Sequence, residues 1–320
     1  MLDSLRAFAA LSVCLFHFIC TTTGFIETEW ILNTFSVGKF GVQLFFVISG
    51  FVIPWSMYHA GYKFKNVFAF FLKRIARLEP PYLFSIFLAL VILYLRENFL
   101  GKENDHMIVT LKQIVLHFGY LIPFFEGYKW LNQVYWTLAI EFQYYIFMAL
   151  TFIPLTHSAL PKRILIYAFM LLLSIYNDSE FLPHWLPLFL LGILLFMFKV
   201  SLISGVEYYL VTGIVLIYGL FLYPVWAIVY SVIPLALILY YPDLKIKLFN
   251  YIGKFSYSLY LIHPLIGASV INLLSHHSSS PWMKFLFVSV GLCITFLGAW
   301  LTYLFIEKPS KKLSSSVKYR

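Results

Sequence analysis

Charged residues are scarce in this chain: 12% of its 320 residues are Asp, Glu, Lys or Arg, against 61% hydrophobic and 20% aromatic. Together with a mean hydropathy of +0.84, that excludes an ordinary soluble domain. Cysteine is rarer still. Cys14, Cys20 and Cys293 all fall in apolar stretches without metal-ligand or redox-motif spacing, and they read as small hydrophobes. Cofactor motifs are missing too: there is no G-x-x-x-x-G-K-[ST] loop, no dinucleotide glycine fingerprint in a strand–helix context and no H-E-x-x-H. His276 and His277 have no Cys or carboxylate beside them, so no metal is expected there.

What the chain has is apolar runs of membrane-spanning length from one end to the other. Ten spans are expected, near 5–23, 38–58, 79–96, 131–154, 163–177, 184–199, 206–222, 224–241, 255–275 and 283–306. This is an all-α, polytopic integral membrane protein with one membrane domain, 1–308, and a mobile tail, 309–320. The first run follows Asp3 and lacks a small-residue cleavage site, so it reads as a retained helix rather than a signal peptide.

Charge sets the orientation. If the N-terminus is cytoplasmic, sixteen of the twenty-three basic residues fall in inner loops and the tail, six fall outside, and Arg6 lies at the inner edge. The positive-inside rule therefore puts both termini in the cytoplasm. The net charge of +9 follows this loop pattern and does not indicate nucleic acid. Two loops stand out. The inner "YKFKNVFAFFLKRIARLEPPY" predicts an interfacial helix that stops before Pro80 and Pro81. The outer 97–130 contains "IVLHFGYLIPFF", a short re-entrant or interfacial helix.

Ionisable groups inside spans are costly and are functional candidates by default. Arg6 and His17 are eleven positions apart, on one helical face and about 16 Å apart along the axis. Arg6 can meet an anion at the inner edge, while His17 reaches mid-depth. Glu141, in "WTLAIEFQYY", and Ser49, in "LFFVISGF", reach similar depth, so the three can share a polar pocket if their helices are neighbours. A His there can take a proton from a hydroxyl, with a carboxylate orienting the ring. The alternative for His17 is a buried His bonded to a neighbouring helix. Arg74 and Arg77, at i and i+3, can grip a phosphate or serve only as topology signals. Ser49–Gly50 also fits a small-residue packing contact. His263, followed by Pro264, reads as a kink, and Glu307 as a partner of basic neighbours.

In order, "LDSLRAFAALSVCLFHF" with its Arg-x10-His spacing, "GVQLFFVISGF", "KRIARLEPPY", "WTLAIEFQYY", "GKFSYSLYLIHP" and "FIEKP" resemble the acyltransferase-3 family of membrane O-acyltransferases. The chain lacks both the His-x4-Asp pairing of glycerolipid acyltransferases and the cysteine-rich insert of protein palmitoyl transferases. The resemblance implies transfer of an acyl group, usually acetyl, from cytoplasmic acetyl-CoA to a hydroxyl, commonly of a cell-surface or lipid-linked glycan, in the bacterial inner membrane. Succinyl donors, and lipid, metabolite or peptide acceptors, stay open. Family residues map onto Arg6, His17, Phe45, Phe46, Ser49, Gly50, Arg74, Arg77 and Glu141, and His17 is the one implied to be catalytic. Ala7 stands where the family often has Gly, and no esterase-like domain follows the last span. The expected mechanism has Arg74, Arg77 and Arg6 holding the CoA phosphates, His17 as general base, Glu141 orienting it, and Ser49 as the candidate for any acyl-enzyme. The rival is a secondary transporter with His17 and Glu141 as proton relay.

Overall fold

The computed structural model describes residues 1–22, 25–99, 109–275, 277 and 280–319. Lys102, His276 and Arg320, which enter the charge and metal readings above, lie outside the described residues. Helix is the only regular structure among those described. The chain runs through α1 (Leu2–Cys20), α2 (Glu29–Ser36), α3 (Gly41–His59), α4 (Val67–Phe99) and α5 (Leu111–Phe118). It continues through α6 (Tyr135–His157), α7 (Leu160–Leu173), α8 (Leu182–Lys199), α9 (Gly205–Leu222) and α10 (Val225–Tyr240). The last third holds α11 (Lys247–Gly253), α12 (Ser256–Ile262), α13 (Ser269–Ser275), α14 (Pro281–Thr302) and α15 (Lys308–Ser316).

Among the described residues eight helical stretches are long and apolar enough to cross a membrane, and the protein is a multi-pass integral membrane protein. The fifth and eighth expected spans correspond to the shorter α7, of 14 residues, and α10, of 16. Local chemistry starts several helices. Pro occupies the first turn of α7, α8 and α14, where its missing N–H costs nothing. Thr110 and Ser204 cap α5 and α9 by accepting from the backbone N–H of Gln113 and Glu207.

The centre of the bundle is α8, apolar all round and buried on nearly every face. Its closest neighbour is α3, and small residues permit the approach. A Cβ on Gly192 would come within 2.2 Å of the Val47 carbonyl oxygen, and one on Gly50 within 2.3 Å of the Phe189 carbonyl oxygen. Two backbones therefore touch at this crossing, the geometry that small residues allow in membranes. Gly50 is thus a packing residue. At the outside of the bundle, Arg163 on α7 forks onto Glu207 on α9 through Nε at 2.9 Å and Nη2 at 2.6 Å.

Two segments, the basic one before Pro80 and the C-terminal tail, differ from the sequence expectation. The basic inner segment does not stop before Pro80: α4 continues through both prolines to Phe99. Proline removes a helical hydrogen bond without forbidding a membrane helix, because neighbours can hold the loosened turn. In the turn before the prolines, Tyr257 Oη donates to the Leu78 carbonyl at 3.0 Å and ties α12 to α4. Between them in the chain, the described residues 109–130 contain the expected short helix, α5, followed by a 3₁₀ turn at Ile122–Phe124. The tail expected to be mobile is helical over Lys308–Ser316 and docks on α4, where Ser314 Oγ donates to the Lys73 carbonyl at 2.7 Å. Because the carbonyl oxygen of Asp3 lies against Gly253, the start of α1, the α11–α12 junction and α15 gather at one end of the bundle.

Candidate active site

A cavity of about 560 Å³ opens at that end, within the usual range of ligand pockets of roughly 300–1,000 Å³. Its wall includes Arg6 from α1, Ser49 from α3, Arg74 and Arg77 from α4, and Glu141 from α6. The structure thus brings five of the six sequence candidates to one cavity. Along α3 the lining runs from Ile53 to Val42, about 16 Å of helix. The cavity is therefore a passage into the bundle and not a surface dent.

Its electrostatics are uneven. Asp3 pairs with Arg6 at 3.7 Å, and Glu307 with Lys311 at 2.6 Å. Glu307, fully buried, also takes the Ser258 hydroxyl at 2.6 Å and the Ser258 N–H at 3.1 Å. Glu141 Oε1 accepts from Ser49 Oγ at 3.1 Å. Among the described residues no carboxylate lies in ion-pair contact with Arg74 or Arg77. The Arg74 guanidinium is buried against the perpendicular rings of Phe70 and Tyr145, 5.4 and 5.5 Å from their centroids, and its Nε has no hydrogen-bond partner. Such an arrangement confines a guanidinium and leaves a donor free for an anion.

His17 is elsewhere. It occupies the last turn of α1 and is not part of the cavity wall. Its Nδ1 lies 2.8 Å from Nε2 of His263, a fully buried residue at the end of α12. His17 stands about 21 Å up α1 from Asp3, and His263 about 10 Å along α12 from Ser256. The pocket expected to unite His17, Ser49 and Glu141 is thus divided: Ser49 and Glu141 bond each other, and His17 bonds His263. The residue linking the halves is Tyr260. It lines the cavity, packs edge-on to Phe45 at 5.5 Å, and has its ring centroid 5.9 Å from that of His263. Its hydroxyl is held by Thr137 Oγ1 at 2.9 Å.

Sequence reasoning passed over His263 as a kink and did not single out Tyr260. A signal was present for His263, an ionisable residue about eight positions inside a span. The distortion is real: a π-helical turn, Pro264–Ala268, follows it, and its carbonyl accepts from both Gly267 and Ala268 at 3.0 and 3.1 Å.

Comparison with known proteins adds a family. A family model for the acyltransferase-3 group, described as an acyltransferase domain, matches residues 1–304. The chain belongs to the acyltransferase-3 family. As a member it carries the acyltransferase domain over nearly its whole length. Curated relatives include the O-acetyltransferase OatA of Staphylococcus aureus (strain NCTC 8325 / PS 47), 27% identical over 175 residues, covering 51% of this chain and 26% of OatA. "Putative acetyltransferase ORF330" of Acidianus two-tailed virus is 28% identical over 294 residues, 82% of this chain and 81% of that one. "Putative O-acetyltransferase SACOL0978" of S. aureus (strain COL) is 26% identical, over 97% of this chain and 57% of the relative. The match thus takes in about a quarter of OatA's length. No solved structure matches the chain significantly.

Proposed function

We propose that this family member is a membrane O-acetyltransferase, taking acetyl from acetyl-CoA and placing it on a hydroxyl of a cell-surface or lipid-linked glycan at the bacterial cytoplasmic membrane. One observation carries the reading: a cavity with two carboxylate-free arginines near its basic end runs about 16 Å inward and ends beside the Tyr260 ring that packs on His263. The names of the OatA and SACOL0978 relatives support the O-acetyl chemistry.

The nucleotide phosphates lie on Arg74 and Arg77, with Arg6 at the rim, because guanidinium forks match phosphate oxygens. The pantetheine arm then follows the cavity past Glu141 and Ser49, whose carboxylate and hydroxyl suit its amides. Acyl transfer requires the acceptor oxygen to bond the thioester carbonyl carbon while the C–S bond breaks. His17 takes the hydroxyl proton and returns it to the departing CoA sulfur, so the products are the O-acetyl ester and free CoA thiol. Phe45 and Tyr260 close the way to His17 until the arm displaces them.

The test is consumption of radiolabelled acetyl-CoA by the full chain in proteoliposomes, with extracted surface glycan as acceptor. Label enters glycan with the wild type and not with His17→Ala, while both proteins insert equally. Undiminished transfer by His17→Ala overturns the reading, and proton-coupled solute uptake without acetyl-CoA consumption establishes a transporter instead.

A further inference from the structure

The hydrogen bonds around His263 determine which nitrogen of His17 is a base. His263 Nδ1 faces two backbone carbonyls, Tyr260 at 2.8 Å and Leu259 at 3.2 Å. Carbonyl oxygens only accept, so this nitrogen carries the proton. In a neutral imidazole the other nitrogen, Nε2, is then a bare acceptor. That Nε2 is the atom 2.8 Å from His17 Nδ1, so His17 Nδ1 carries its proton and donates it. The lone pair of His17 is left on Nε2, which among the described residues has no hydrogen-bond partner. The two rings meet edge to edge, with centroids 5.0 Å apart and planes 27° apart, as an in-line N–H···N bond requires.

We propose that His263 is the positioning residue for His17: by accepting the Nδ1 proton it fixes ring and tautomer, so that Nε2 receives the proton of the acceptor hydroxyl. A carboxylate usually does this for a catalytic histidine. Here a neutral ring does it, and its own tautomer is fixed by the backbone of α12. A neutral orienter suits this place, since His263 is fully buried beside Phe18 and a carboxylate there would need a counter-charge. The π-helical turn contributes by letting the His263 carbonyl take two N–H groups. The role of His263 rests on the proposed function, but the tautomer of His17 does not.

The experiment separates the two. The full chain, labelled with 15N-histidine and held in lipid, gives ring-nitrogen resonances, and those of His17 are found by their loss in His17→Asn. The wild type shows the Nδ1–H tautomer of His17; His263→Phe, which keeps the ring volume, loses it; His263→Gln, whose amide oxygen falls near the position of Nε2, restores it. In the acetyl-transfer assay His263→Phe loses about 100-fold or more in kcat at nearly unchanged KM for acetyl-CoA, the scale of general-base catalysis, and His263→Gln recovers at least a tenth of the wild-type rate. An Nε2–H tautomer in the wild type overturns the inference, as does His263→Gln as inactive as His263→Phe when both proteins are inserted and equally heat-stable. A wild type with the Nδ1–H tautomer but no acyl transfer refutes the proposed function and the positioning role while leaving the hydrogen-bond assignment standing.

Discussion

Ser49 on α3 donates its hydroxyl to Glu141 on α6 across 3.1 Å, inside the wall of the cavity that also carries Arg74 and Arg77. The bond ties two helices together and holds a carboxylate where an anionic ligand would pass. Glu141→Gln keeps an oxygen for Ser49 and removes the charge. We expect it to lower the KM for acetyl-CoA by about two- to five-fold at low ionic strength, with the gain fading as salt screens the cavity. Steady-state kinetics at two salt concentrations check this, and an unchanged KM at low salt counts against an anion in this cavity.

Arg74 and Arg77 should differ when replaced. Arg77→Ala is expected to raise the KM for acetyl-CoA about ten-fold or more with kcat little changed, since it removes a phosphate contact from a half-buried position. Arg74 is buried against Phe70 and Tyr145. Arg74→Lys therefore loses both the guanidinium's contact with the rings and its fork of donors, and should lower thermal stability as well as donor affinity. Calorimetric titration with CoA, beside thermal unfolding in detergent, distinguishes the two.

Gly192→Ala tests the α3–α8 crossing. The added methyl would sit 2.2 Å from the Val47 carbonyl oxygen and 2.6 Å from the backbone at Gly50 and Phe51, so the helices must separate. Overpacking of this kind costs about 1–3 kcal/mol. A lower unfolding midpoint is expected, whereas Gly213→Ala, which meets nothing within 4 Å inside α9, should not lower it and should raise it slightly.

Acid should loosen the outer loop at His117. Burial holds this imidazole below its ordinary 6.5, against the opposing pull of its bond to the Gln113 carbonyl. The neutral ring bridges Gln113 O at 2.7 Å and the Leu131 N–H at 3.0 Å, and a proton on Nε2 removes the second bond. The unfolded loop binds the proton more readily, so the stability from this residue is complete above pH 6.5 and declines as pH falls below it. Hydrogen exchange at the Leu131 amide should accelerate, relative to its intrinsic rate, between pH 6.5 and 5, and His117→Phe should abolish that dependence.

Much of the fold was legible because the bilayer imposes a length on apolar runs, which the sequence records directly. The arginine cavity was half legible: Arg74 and Arg77 announce themselves by spacing, but their convergence with Arg6, Ser49 and Glu141 depends on helix neighbours. The division of the expected pocket was not legible at all. His17 and His263 are 246 residues apart, and no local pattern records which distant helix lies beside α1. The continuity of α4 through Pro80 and Pro81 was hidden because what packs against that turn, Tyr257 on Leu78 among it, comes from far along the chain. Likewise the docking of Ser314 on Lys73 is invisible in a polar, serine-rich tail.

The π-helical turn after His263 has a consequence for how this molecule can change. Such a turn is a regular helix with one residue too many, so its shape is written in chain length and not in side-chain identity. Deleting one residue from Leu265–Gly267 would restore ordinary winding and, because the wide turn takes up the extra residue within itself, would leave α12 and α13 nearly in register. What would go is the second N–H on the His263 carbonyl. The same deletion inside α12 would instead turn His263 by about 100° away from α1, an asymmetry that indel scanning of residues 256–268 would expose.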